Sequence, residues 1–276
     1  MNNENLMNNE NCKYIDIGVN LLHKSFNKDK NEVIKMAESV GVSPLIITGT
    51  TESNSLETIK YIDEYNKTHG DKLFSTVGIH PHNAQDFNSQ SISNLEKMAK
   101  NPYVVAIGEC GLDYNRNFSP QDVQRLVFEE QIKLAIKLET PLFLHDRESF
   151  PDFSDILEKY IDDIPNFVVH CFTGKKEELE KYLELGAYIG ITGWICDERR
   201  GQDLLKLINE IPLGNLMIET DAPFLIPRDL NPKPKSHRNS PLYLSHIAET
   251  IANELGEDLS KIANITYKNS KKFFNL

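Results

Sequence analysis

Val104-Val105-Ala106-Ile107-Gly108-Glu109-Cys110-Gly111-Leu112-Asp113 is an apolar, β-branched run that ends abruptly in a carboxylate flanked by glycines. A short run of this composition reads as a buried parallel strand. It predicts a strand over Tyr103 to Gly108, with Glu109 on its C-terminal lip. Gly108 and Gly111 let the backbone turn sharply and let a neighbour approach closely. A carboxylate buried there needs a partner, because an unpaired buried charge is costly. That partner is either a Lys or Arg in a structural salt bridge or a metal ion, and the other strands decide between them.

Seven further strands are predicted outward from this one. They are Tyr14 to Val19, Pro44 to Gly49, Leu73 to Ile79, Pro141 to His145, Asn166 to His170, Ala187 to Ile191 and Asn215 to Ile218. Helical patterns separate them. One runs from Asp29 to Val40 and is closed by Gly41. Another is capped by Ser53 or Asn54, and a third covers Ser91 to Ala99. Ser119-Pro120-Gln121-Asp122 opens a long helix, with Ser119 as the expected cap and Pro120 in the first position. Two helices end the chain, Ser240 to Leu255 and Ser260 to Phe274. Eight strands alternating with helices is the count of an α/β TIM (β/α)8 barrel, whose usual length is ~250 residues. An open doubly wound sheet is the other arrangement, but no G-x-G-x-x-G follows the first strand. One barrel domain of the metal-dependent hydrolase type is expected over 14–276, behind a disordered Asn-rich leader over 1–13.

The chain has 276 residues, 39% hydrophobic and 26% charged, and a net charge of −11. That balance excludes a globally basic nucleic-acid binder, so any such contact must come from a local patch. Four widely spaced cysteines form no C-x-x-C pair and suit a reducing compartment. The first residues have no basic and apolar signal-peptide pattern, and no run is long enough to span a bilayer. The expectation is a cytoplasmic protein, or a nuclear one in a eukaryote, with no membrane contact.

Polar ligands follow the strands repeatedly: His80 and His82, Glu109, His145, His170 and Asp221. In a barrel these positions converge on the C-terminal face, where active sites of the fold lie. One His at a strand end is usually structural, but this many imidazoles and carboxylates on one face form a site for Zn, Mn, Mg or Fe. Glu109, His145 and His170 are expected to ligate one ion. Asp221 either reaches the same ion or holds and deprotonates its water. Cys110 and Cys171 should point away and pack.

The loops after the strands are basic although the protein is acidic. They carry Arg116, Arg147, Lys175, Lys176, Arg199, Arg200, Arg228 and Arg238, with His82 beside them, which favours a polyanionic substrate. Trp194 lies among these cations, either to stack on a base or to pack as a lid.

The motifs then resemble one family. Asp16-Ile17-Gly18-Val19-Asn20-Leu21, Val77-Gly78-Ile79-His80-Pro81-His82 and the Gly-Glu-Cys-Gly-Leu-Asp core within Val104 to Phe118 are similar to the TatD-family metal-dependent deoxyribonucleases. So are Phe143-Leu144-His145, His170 to Gly174, Tyr188 to Trp194 and Ile218 to Pro223. The resemblance covers nearly the whole chain from residue 14 and is nearest to the bacterial TatD branch. It implies a Mg²⁺-dependent 3′–5′ exonuclease on DNA, with Mn²⁺ or Zn²⁺ as alternative ions, one or two per chain. Its substrate would be single-stranded DNA or 3′ ends, with RNA left open, in DNA repair or DNA fragmentation. It also implies ligation by Glu109, His145, His170 and Asp221, a catalytic part for Glu109 and Asp221, and a substrate or catalytic role for His80. Many members carry H-x-H after strand one, where this chain has Gly18 and Asn20. Fewer nitrogen ligands suit Mg²⁺. The competing class is an amidohydrolase-type enzyme for a small amide, ester or lactone, which would want a neutral pocket.

Overall fold

The computed structural model describes residues 12–276. The leader expected over 1–13 therefore lies almost wholly outside the described residues. Eight strands form one sheet in sequence order: β1 (Tyr14–Val19), β2 (Val42–Ile47), β3 (Leu73–Val77), β4 (Val104–Asp113), β5 (Leu142–Arg147), β6 (Phe167–Val169), β7 (Tyr188–Ile191) and β8 (Leu216–Ile218). The pairs β3–β4, β4–β5, β5–β6 and β6–β7 are parallel. The last strand returns to the first. Val19 bridges Ala222 in parallel, the Asn20 N–H donates to the Ala222 carbonyl at 2.7 Å, and the Asp221 N–H donates to the Gly18 carbonyl at 2.8 Å. The fold is the expected (β/α)8 barrel.

Helices alternate with the strands: α1 (Lys30–Ser39), α2 (Glu52–His69), α3 (Ser91–Met98), α4 (Gln121–Leu138), α5 (Phe150–Glu158), α6 (Lys176–Glu184), α7 (Gln202–Leu207), α8 (Leu244–Leu255) and α9 (Leu259–Phe274). Buried Ile, Val, Leu and Phe from the strands make the core, as expected of strands covered on both faces. The described residues divide into two compact units. One holds residues up to Ile46 with Gly190–Lys272 and Leu276, and the other holds Ile47–Ile189 with Phe273–Asn275.

Three local expectations are corrected. The α4 helix starts at Gln121, with Pro120 as its N-cap and no side-chain cap bond. The Ser119 hydroxyl is used elsewhere: it donates to the His82 carbonyl and accepts from the Gln85 N–H, both at 3.1 Å. The cap of α2 is Thr51, whose side chain accepts from the Asn54 N–H at 3.0 Å, rather than Ser53 or Asn54. The third concerns β4, which does not stop at Gly108. It pairs Gly108 with Phe143 and then Cys110 with Leu144, so Glu109 is an extra residue in β4, a bulge, and the strand runs on to Asp113.

Gly108 and Gly111 make that pairing geometrically available. Their φ angles are +141° and +139°, and an added Cβ would run into the carbonyl oxygens of Phe143 and His145 respectively. Only glycine serves both the dihedral and the close approach. Gly41 (φ +80°) and Gly256 (φ +63°) end their helices as expected.

Candidate metal centre

Four histidines and two carboxylates gather at the ends of β3 to β6, within the unit Ile47–Ile189. The bulge aims Glu109 out of the ladder. Its N–H donates to the Gly49 carbonyl at 2.7 Å, and the residue is 6% exposed. Three imidazole nitrogens converge on its Oε1: His170 Nε2 at 2.9 Å, His145 Nδ1 at 3.0 Å and His80 Nε2 at 3.1 Å. One carboxylate oxygen has too few lone pairs to satisfy three donors.

His80 follows β3 and caps the 3-10 turn Pro81–Asp86. Its Nδ1 accepts from the His82 N–H at 3.0 Å, which leaves the proton on Nε2, facing Glu109. Burial pushes the His80 pKa down to about 4 against the pull of Glu109, so the ring is neutral. Burial also opposes ionisation of Glu109. The His80 and His170 rings, with the hydrogen bonds of His145 and His170, outweigh it and hold the carboxyl well below its usual range. Burial would lower the His145 pKa, but the carboxylates of Asp113 and Glu109 raise it.

Asp113, at the end of β4, is a member of this cluster that sequence reasoning did not single out. Its Oδ2 meets His82 Nε2 at 2.7 Å and lies 3.4 Å from His145 Nε2, and its Oδ1 accepts from the Arg116 N–H at 2.7 Å. Burial opposes its charge, but His145, His82 and the Arg116 N–H hold its pKa far below the usual range. A signal was present in the sequence. Glu109, Gly111 and Asp113 alternate at period two and so share a face.

The donor set fits a divalent cation. Ligand atoms of His80, Glu109 and His145 lie within 4.8 Å of one another, and His170 is hydrogen-bonded to the same carboxylate. Nε2 of His145 is buried with no well-formed hydrogen bond. Imidazole nitrogens with carboxylate oxygens suit Zn²⁺, Mn²⁺, Fe²⁺ or a partly hydrated Mg²⁺. The residue after His170, Cys171, has φ +47°. A non-glycine residue in that region is strained, as is common beside functional groups.

The remaining expected site residues are distributed as follows. Asp221 lies in the other unit, just past β8, with φ +51°, and its Oδ1 accepts from Asn20 Nδ2 at 2.8 Å. Arg116, Arg147 and Lys175 are exposed and lie in the same unit as Glu109. Arg228 faces Glu198 at 3.2 Å, and Arg238 clamps Asp29 at 2.6 Å and 2.8 Å while its guanidinium lies over the Phe26 ring. Trp194 is half-buried, with the Arg200 guanidinium 4.5 Å over its ring. Phe118, which sequence reasoning did not single out, is 59% exposed with its ring against His82. Cys110 is buried and Cys171 partly so. Among the described residues, no helix is long and apolar enough to cross a membrane.

Known proteins resemble this chain over nearly all of its described length. The family model described as "TatD related DNase" matches residues 15–275. The "3'-5' ssDNA/RNA exonuclease TatD" of Rahnella sp. (strain Y9602) is 48% identical across 95% of this chain and 98% of its own. The exonuclease of the same name from Erwinia tasmaniensis is 46% identical across 95% of this chain and 99% of its own. A crystal structure described as a hydrolase TatD family protein from Entamoeba histolytica is 28% identical, covers 95% of this chain and 98% of its own, and superposes with a TM-score of 0.87.

Proposed function

The chain belongs to the TatD-related DNase family, and from that premise we propose that it is a metal-dependent 3′–5′ exonuclease acting on single-stranded DNA or RNA. The observation that carries the reading is the meeting of three imidazole nitrogens on Glu109 Oε1 at 2.9–3.1 Å. Glu109, His145 and His170 would hold the ion. Mg²⁺ is the proposed native metal, because the positions after β1 offer Gly18 and Asn20 in place of two further imidazoles. A divalent ion bound there supplies Lewis acidity and lowers the pKa of water towards neutrality.

The side chains do the rest. Asp113 orients His82 through its Oδ2 and lays its charge 3.4 Å from His145 Nε2, a carboxylate behind the imidazoles. Neutral His80 donates its Nε2–H to Glu109 Oε1 at 3.1 Å, which orients that carboxylate towards the reacting phosphate. Asp221 is proposed as the acceptor of the nucleophile's proton, on the strength of its place just past β8 in the sequence. Arg116, Arg147 and Lys175 hold the backbone phosphates, and Phe118 beside His82 offers a face to a base. Arg228 and Arg238 are spent on Glu198 and Asp29 and are weaker candidates for phosphate. The matched span of 15–275 supports one domain, and the charge and cysteine pattern support a cytoplasmic site of action.

The test is incubation of the purified protein with 5′-labelled single-stranded DNA and Mg²⁺. A ladder shortening from the 3′ end, abolished by EDTA, is expected. Shortening that persists in EDTA would remove the metal from the mechanism.

A further inference from the structure

A second group of metal-type donors lies outside the centre just described, in the unit that contains α8. Cys196 ends the 3-10 turn Gly193–Cys196 after β7, Asp229 sits in the long loop after β8, and His246 is in the first turns of α8. One ligand atom from each lies within 4.8 Å of the other two. The three come from separate segments and are three different donor types. His246 Nε2 and Asp229 Oδ1 already meet at 2.7 Å.

The surroundings suit a cation. Thr250, one turn beyond His246, spends its hydroxyl proton on the His246 carbonyl at 3.0 Å, so its oxygen accepts from Cys196 Sγ at 3.3 Å. The thiol is therefore held in a fixed direction. Cys196 is buried, while the Asp229 and His246 side chains are 46% and 27% exposed, which leaves an entry path. The adjacent Arg228 is neutralised by Asp197 and Glu198.

We propose that Cys196, Asp229 and His246 form a binding site for a borderline-soft divalent cation of the Zn²⁺ type, which clips the loop after β8 to α8. Binding releases the thiol proton to solvent. The thiolate and the carboxylate then balance the ion's two charges, and the imidazole supplies a third ligand. Tetrahedral bonds of ~2.1 Å place donors about 3.4 Å apart, so Asp229 Oδ1 and His246 Nε2, now 2.7 Å apart, part slightly to admit the ion. A thiolate ligand selects against Mg²⁺. The site is thus chemically distinct from the exonuclease centre and independent of it.

The test uses the full chain, stripped of metal and titrated with Co²⁺ and then Zn²⁺. The wild type should show a sulfur-to-cobalt charge-transfer band, bind one more equivalent of Zn²⁺ than Cys196→Ser, and gain thermal stability with Zn²⁺. Cys196→Ser and His246→Ala should each lose the band and that equivalent, while Glu109→Gln should keep both. His246→Ala carries the test if Cys196→Ser fails to fold, since its ring is partly exposed. Absence of the band in the wild type would overturn the proposal. So would its survival in Cys196→Ser, which would assign the thiolate to Cys12, Cys110 or Cys171.

Discussion

At the scale of single residues, the account turns on Glu109. It is buried, ionised and surrounded by imidazoles, so an isosteric amide should keep the packing and lose the charge. Glu109→Gln is expected to fold with an unchanged circular dichroism spectrum and to lose about a hundredfold or more in kcat, worth ~3 kcal/mol of transition-state stabilisation. An unfolded variant would point to a purely structural carboxylate. His80 makes a pH prediction on the metal-stripped protein. Its folded pKa of about 4 lies below the ordinary value, so as pH falls below ~6.5 the unfolded chain takes up a proton that the folded ring refuses, and stability falls. His145, whose pKa is raised, has the opposite sign: its contribution is present at low pH and is lost as pH rises through the folded value. Comparison with His80→Asn isolates the first effect. Urea denaturation should show the wild type losing about 2 kcal/mol relative to that variant between pH ~7 and ~5. The histidines and Glu109 that gather at the site were legible because strands end where polar residues begin. Asp113 was passed over despite its period-two spacing from Glu109, since it follows what reads as the end of its strand.

At the scale of elements, the β4–β5 pair sets the site. Gly108→Ala or Gly111→Ala would combine a disfavoured φ with a collision against a β5 carbonyl. Each should cost about 3 kcal/mol or more, read as a lower urea midpoint or loss of soluble protein. The ends of β1 and β8 are joined by Asp16, whose carboxylate accepts from the Thr220 N–H at 2.9 Å and from its hydroxyl at 2.5 Å. Burial raises the Asp16 pKa to about 7, although both Thr220 bonds oppose the shift. Asp16→Ala would strand three buried donors, the Thr220 N–H and hydroxyl and the Gly18 N–H, at an expected cost of about 3 kcal/mol in equilibrium unfolding. Element order and type could be read from the apolar periodicity. The bulge at Glu109 could not, because an inserted residue leaves no mark in a run that is buried on both faces. Nor could the caps at Pro120 and Thr51, where Ser119 was drawn away by His82 and Gln85, atoms distant in sequence.

At the scale of the whole molecule, a chain of net charge −11 is asked to hold a polyanion. Under the proposed function, productive binding rests on a few exposed cations, for which Arg116, Arg147 and Lys175 are the candidates. About three phosphate contacts on a single strand give a slope near −2 in log(kcat/KM) against log salt concentration. A small phosphodiester should show almost no such slope, and Arg147→Ala or Lys175→Ala should each flatten the oligonucleotide slope by about 0.7. The barrel itself was foreseen from its eight alternating strands. Its closure rests on one short bridge, Val19 to Ala222, that no local pattern announces. The central claim is that Glu109, His145 and His170 share one divalent cation. Anomalous diffraction from a crystal soaked in Mn²⁺ tests it most directly. A peak is expected about 2.0–2.3 Å from a Glu109 carboxylate oxygen and from ring nitrogens of His145 and His170. An enzyme active in Mn²⁺ with no peak at Glu109 would contradict it.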